Sequence, residues 1–153
     1  MSEKPLKEGL TALLVSLFAY AGVSILLDYE LFRNHLILSP WPLLSYTAPY
    51  MAGTLPVIEL LIAIMLIMPR TRISGLWMAF MTMLAFTAYV AVFLLSDRKL
   101  PCSCSGVFSF MDWEWHLLFN IIFTMLAETA LFLHIPLPID FTSIFKHKKQ
   151  YLQ

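Results

Sequence analysis

The sequence predicts an all-α membrane protein, a four-transmembrane-helix bundle forming one integral membrane domain over residues 1–153. Three observations predict it. Of the 153 residues, 59% are hydrophobic and only 13% charged, against about a quarter charged in ordinary soluble domains. Four apolar runs each approach the roughly 20 residues a helix needs to cross about 30 Å of hydrocarbon. None of them alternates polar with apolar as a barrel strand does. Backbone groups in lipid must be satisfied within their own segment, and a helix does that. The formal net charge is zero, so no basic surface points to nucleic acid.

The first span runs from about Gly9 to Leu27. Lys4 and Lys7 precede it, and Ala19-Tyr20-Ala21 resembles a small-residue cleavage site, so a signal peptide is the competing reading. The apolar run continues past that site to Leu27, which favours a span. Asp28 to Tyr50 is too polar to cross, and Pro40, Pro42 and Pro49 break it. It reads as an interfacial segment, a short amphipathic helix followed by an extended stretch. The second span covers about Met51 to Met68. Pro69-Arg70-Thr71-Arg72 makes a tight basic hairpin into the third, about Ile73 to Leu95. Ser96 to Glu114 is a polar loop. Trp113 and Trp115 suit the headgroup belt and open the fourth span, about Trp115 to Ile135.

Orientation follows from Lys and Arg. One side carries seven: Lys4, Lys7, Arg70, Arg72, Lys146, Lys148 and Lys149. The other carries three: Arg33, Arg98 and Lys99. Cytoplasmic loops hold the excess, so both termini face the cytoplasm and the 96–114 loop faces outward. In a bacterium with two membranes this is the inner membrane, and the loop meets the oxidising periplasm.

That loop holds both cysteines, in Pro101-Cys102-Ser103-Cys104-Ser105-Gly106. A bond between residues i and i+2 closes a small ring and demands a bent backbone. Strain raises the reduction potential, so such a bridge is labile and suits thiol–disulfide exchange. Inert cysteines are the bland alternative. Cys102, Cys104 and His116 also offer three soft or borderline metal ligands. No fourth ligand is evident, so no metal is expected.

Glu59 stands at the centre of span two, in Pro56-Val57-Ile58-Glu59. A lipid-facing carboxyl at that depth is costly, so it should point into the bundle. No Lys or Arg lies at its level in any span. It is therefore read as protonated or hydrogen-bonded, and as a candidate proton-handling group; an interhelical structural bond is the alternative. His116, Asn120, Thr124 and Glu128 recur every four residues on span four. They form a polar stripe that should face the interior. The stripe reads either as a proton path and quinone-headgroup wall or as polar glue between helices. Tyr20, Ser24, Thr82 and Tyr89 would complete such an interior.

The pattern as a whole resembles a known family. Its carriers are Phe18-Ala19-Tyr20-Ala21-Gly22-Val23-Ser24, Pro56-x-x-Glu59, Pro69-x-x-Arg72 and Phe86-Thr87-Ala88-Tyr89. Pro101 to Gly106 and Trp113-x-Trp115-His116-x-x-x-Asn120 complete the order. From about residue 10 to 135 the chain is similar to the MauE/DoxX-like redox-associated membrane proteins, of the Bacteroidetes type. The resemblance implies a DoxX-type four-helix bundle linked to disulfide chemistry with a thioredoxin-like partner, and, through DoxX relatives, to quinone-linked redox systems. The family pattern places a Lys after Ser24; here it is Ile25, which removes a cationic partner for Glu59.

The function expected is an inner-membrane thiol–disulfide oxidoreductase. Cys102, Cys104, Glu59 and His116 would be its catalytic residues, and Asn120, Glu128 and Tyr20 would hold a quinone. Its partners would be the bilayer, a periplasmic thioredoxin-like protein and other membrane subunits. The rival is a non-catalytic subunit that anchors or stabilises a larger membrane complex.

Overall fold

A computed structural model describes residues 3–39, 41–95 and 113–135. Among the described residues there are five helices and no strand: α1 Glu3–Leu27, α2 Tyr29–Ile37, α3 Pro42–Ile67, α4 Arg72–Leu95 and α5 Trp113–His134. All but α2 are long and apolar enough to cross a membrane. Their outer faces carry apolar side chains such as Leu13, Ile64, Met81 and Met125, as contact with lipid requires.

Helix α1 packs mainly on α3, and α4 mainly on α5. Contacts of α3 with α4 and of α1 with α5 close the ring. Close approach of α1 to α3 depends on Gly22, where a Cβ would stand 2.9 Å from Leu60 Cγ and 3.1 Å from the Pro56 carbonyl oxygen. The α3–α4 corner is tied by side chains. Thr71 Oγ1 donates to the Met65 carbonyl at 3.0 Å, and Arg72 Nε to the Leu66 carbonyl at 3.2 Å. Arg72 also pairs with Glu8 of α1 at 2.8 Å. These bonds satisfy carbonyls that the end of a helix leaves without partners.

One stretch departs from expectation. Residues 42–50 are the first turns of α3, not an extended segment, so this helix has 26 residues. Pro42 sits at its first position, where a missing N–H costs nothing. Pro49 and Pro56 lie inside the helix, where neighbouring elements occupy polar groups nearby. Tyr29 Oη donates to the Pro49 carbonyl at 3.3 Å, and Ser45 Oγ to the Ile37 carbonyl at 2.8 Å. The amphipathic helix expected before this stretch is α2, which turns off α1 at Asp28. Its Leu36, with Tyr29 and Phe32, packs on Ala48, Ala52 and Leu44 of α3.

Packing is uneven along the bundle. The end where α1 and α4 begin is filled by a core including Leu10, Leu14, Phe18, Ile62, Leu66, Leu76, Ala79, Ala127 and Ala130. The other end, where α4 stops and α5 starts, is hollow.

Candidate functional site

The hollow end holds a cavity of about 480 Å³. All four long helices line it, and Phe32 and Leu36 of α2 with Trp41 and Leu44 close it from the side of the α2–α3 connection. Its wall is overwhelmingly apolar. Six polar side chains enter it: Tyr20 and Ser24 from α1, Glu59 from α3, Tyr89 from α4, His116 and Asn120 from α5. No Lys or Arg is among the described lining residues.

Glu59 is buried, with 1% of its surface exposed. It stands between Pro56, itself buried, and Ile62 of the filled core, so it belongs to the cavity floor. Its Oε2 has no hydrogen-bond partner among the described residues, and neither has Nδ2 of Asn120, which is 4% exposed. A buried polar atom left bare costs roughly 1–3 kcal/mol. Two such atoms in one apolar cavity are suited to a ligand with polar groups on an apolar ring. Ile25, standing where a Lys would be expected, is buried in the lining and brings no charge to Glu59.

The stripe on α5 divides. His116 and Asn120 reach the cavity. Thr124 turns to α4: it shares a hydrogen bond of 3.0 Å with Thr87, while its hydroxyl also meets the Asn120 carbonyl at 2.7 Å. Glu128 is exposed on the bundle surface and is absent from the lining, a correction to the interior face expected for it. The reason is helical geometry. Each step of four residues overshoots a full turn by about 40°, so Glu128 lies about 120° around from His116. Tyr20, Ser24 and Tyr89 meet at the cavity as expected, and Thr82 does not line it.

Cys102 and Cys104 lie outside the described residues. The chain that carries them leaves α4 at Leu95 and rejoins at Trp113 of α5, both at the hollow end. His116 is three residues into α5. Among the described residues no cluster of His, Cys, Asp and Glu has metal-binding geometry.

Sequence reasoning missed the roof. Tyr89 Oη donates to Ser39 Oγ at 3.5 Å, and the Trp41 backbone N–H donates to the same oxygen at 3.4 Å. These bonds hold the α2–α3 connection across to α4. The signal available was Phe32 and Leu36, four apart on one face of the short helix.

Helices of this length around an internal cavity define a multi-pass α-helical membrane protein. Residues 3–134 match the family model of the methylamine utilisation protein MauE, and the chain belongs to the MauE family. No curated protein matches it, and no solved structure does.

Proposed function

We propose that this protein is an inner-membrane thiol–disulfide oxidoreductase that exchanges with a periplasmic thioredoxin-like partner and passes electrons to or from a quinone. The observation that carries the reading is coincidence of place. The hollow end of the bundle, lined by Glu59, Asn120 and His116, is where α4 stops and α5 begins, and Cys102 and Cys104 lie between those two helices in sequence. MauE membership supports a redox-associated role at a membrane.

In the exchange, a partner thiolate attacks one sulfur of the Cys102–Cys104 bridge, forming a mixed disulfide and releasing the other cysteine as a thiolate. The partner's second thiolate then cleaves the mixed disulfide, leaving the partner oxidised and Cys102/Cys104 as a dithiol. A quinone, when bound, would supply the two-electron, two-proton acceptor that the Cys102/Cys104 dithiol needs to reform its bridge. The reverse sequence is equally balanced, and the potentials of partner and quinone choose between them. Glu59 and Asn120 would hold the polar groups of such a ring within the apolar wall, and His116, near the start of α5, would relay protons.

Thiol trapping in cells tests this. Cys102→Ser or Cys104→Ser should capture a thioredoxin-fold protein as a mixed disulfide. Quinone depletion should shift the wild-type pair's redox state. If single and double Ser variants behave as wild type, the redox reading fails, and the protein is a non-catalytic subunit of a larger assembly.

A further inference from the structure

Helix α2 and the connection after it line one side of the cavity, and its wall thins between α3 and α4. Helix α2 packs on α3 at the hollow end, and the Tyr89–Ser39 bond fastens the connection after it to α4. The sides differ. At the filled end α3 and α4 are in close contact, where a Cβ on Gly75 would meet Met65 Cβ at 3.0 Å. At the hollow end, four residues of these two helices both line the cavity and lie exposed on the bundle surface: Met51 on α3 and Ala85, Ala88 and Val92 on α4. A residue that faces both is the rim of an opening. Ala85, Ala88 and Val92 recur at spacings of three and four, so they share one face of α4. Two of the three are alanines, which leave the gap unfilled. Tyr20 of α1 and Trp41 of the α2–α3 connection are the other exposed lining residues, and each occupies its place with a bulky ring.

We propose that the slot between α3 and α4 admits the isoprenoid tail of a membrane quinone, so that the ligand enters the cavity sideways from the bilayer. The proposal rests on the quinone reading and adds the class of quinone and its route. The ring comes to lie against Glu59 and Asn120, while the tail runs out past Ala88 among lipid chains. Both surroundings are apolar, so the tail loses no favourable contact on entry. The filled slot also shields the apolar rim.

The test compares a naphthoquinone bearing a geranylgeranyl tail with the tail-less ring, on protein in lipid nanodiscs. Binding is read by displacement of the radiolabelled ring. In wild type the tailed compound should displace the label at a total concentration at least about tenfold lower than the unlabelled ring does, because its tail concentrates it in the bilayer from which it enters. In Ala88→Trp that advantage, taken as the ratio of the two compounds' displacement within the same variant, should shrink to about twofold or less. Val92→Trp should act likewise from a second rim position. Leu118→Trp, on the exposed face of α5 and away from the lining, should keep the full advantage. An advantage that survives in both rim variants, or that is missing from wild type, overturns the lateral route and leaves quinone binding standing. Failure of wild type to bind the ring at all removes the quinone reading, and the route with it.

Discussion

Gly22→Ala should destabilise the protein, although alanine is the better helix former. The added Cβ meets Leu60 Cγ at 2.9 Å and the Pro56 carbonyl oxygen at 3.1 Å. Leu60 can change rotamer, but the carbonyl belongs to the backbone of α3 and moves only with the helix. Forcing a methyl into a filled contact costs about 1–3 kcal/mol. Removing a helical glycine returns about 1 kcal/mol. The net is a loss of about 0–2 kcal/mol. Gly53 is the internal control: no atom lies within 4 Å of the place a Cβ would take there, so Gly53→Ala keeps only the gain, about 0.5–1 kcal/mol. A chain of this size shifts its melting temperature by about 2–4 °C per kcal/mol. Thermal unfolding of the two variants in one detergent, followed by circular dichroism, should therefore separate them by several degrees, with Gly22→Ala lower. If Gly22→Ala melts at or above Gly53→Ala, then α1 and α3 do not meet at this glycine, and the close contact described for it is wrong.

Two further outcomes follow from the same contacts. Arg72→Ala should cost about 1–2 kcal/mol, since it removes a bond to the Leu66 carbonyl as well as the Glu8 pair; Glu8→Gln, which removes a mostly exposed partner, should cost well under about 1 kcal/mol, and equal melting losses would show that the carbonyl contact contributes nothing. Glu59→Gln and Glu59→Leu should both fold, Gln retaining one hydrogen-bonding group in the cavity; quinone-linked thiol oxidation should fall at least about tenfold in both, and full turnover in both would remove Glu59 from proton handling.

The spans were legible because each depends on a local property, an unbroken apolar run near the length of a bilayer. The interior position of Glu59 was legible for a related reason, the cost of a carboxyl in lipid. Position 49 was not. A proline inside a pattern ordinarily ends a helix, yet α3 runs through Pro49, with α2 alongside and Tyr29 Oη on its carbonyl. That contact joins residues 20 apart in sequence, and no local pattern contains it. Glu128 was misplaced by a different limit. A period of four approximates a helix face over two turns, and by the fourth member it has left that face. The roof went unread because Ser39 and Tyr89, 50 residues apart, carry no mark that associates them.

The uneven filling of the bundle sets how such a chain can change. At the dense end Ala79, Ala127 and Ala130 have no exposed surface, and each added methyl must displace a neighbour. Where a lining side chain points into the void, an added methyl takes up cavity volume and need not displace a neighbour. Lineages can therefore exchange side chains at the hollow end and retune the shape of what is held there, while the dense end keeps the helices in register. Selectivity is thereby set by side chains that point into the void, while stability rests on the dense end together with the Gly22 contact between α1 and α3.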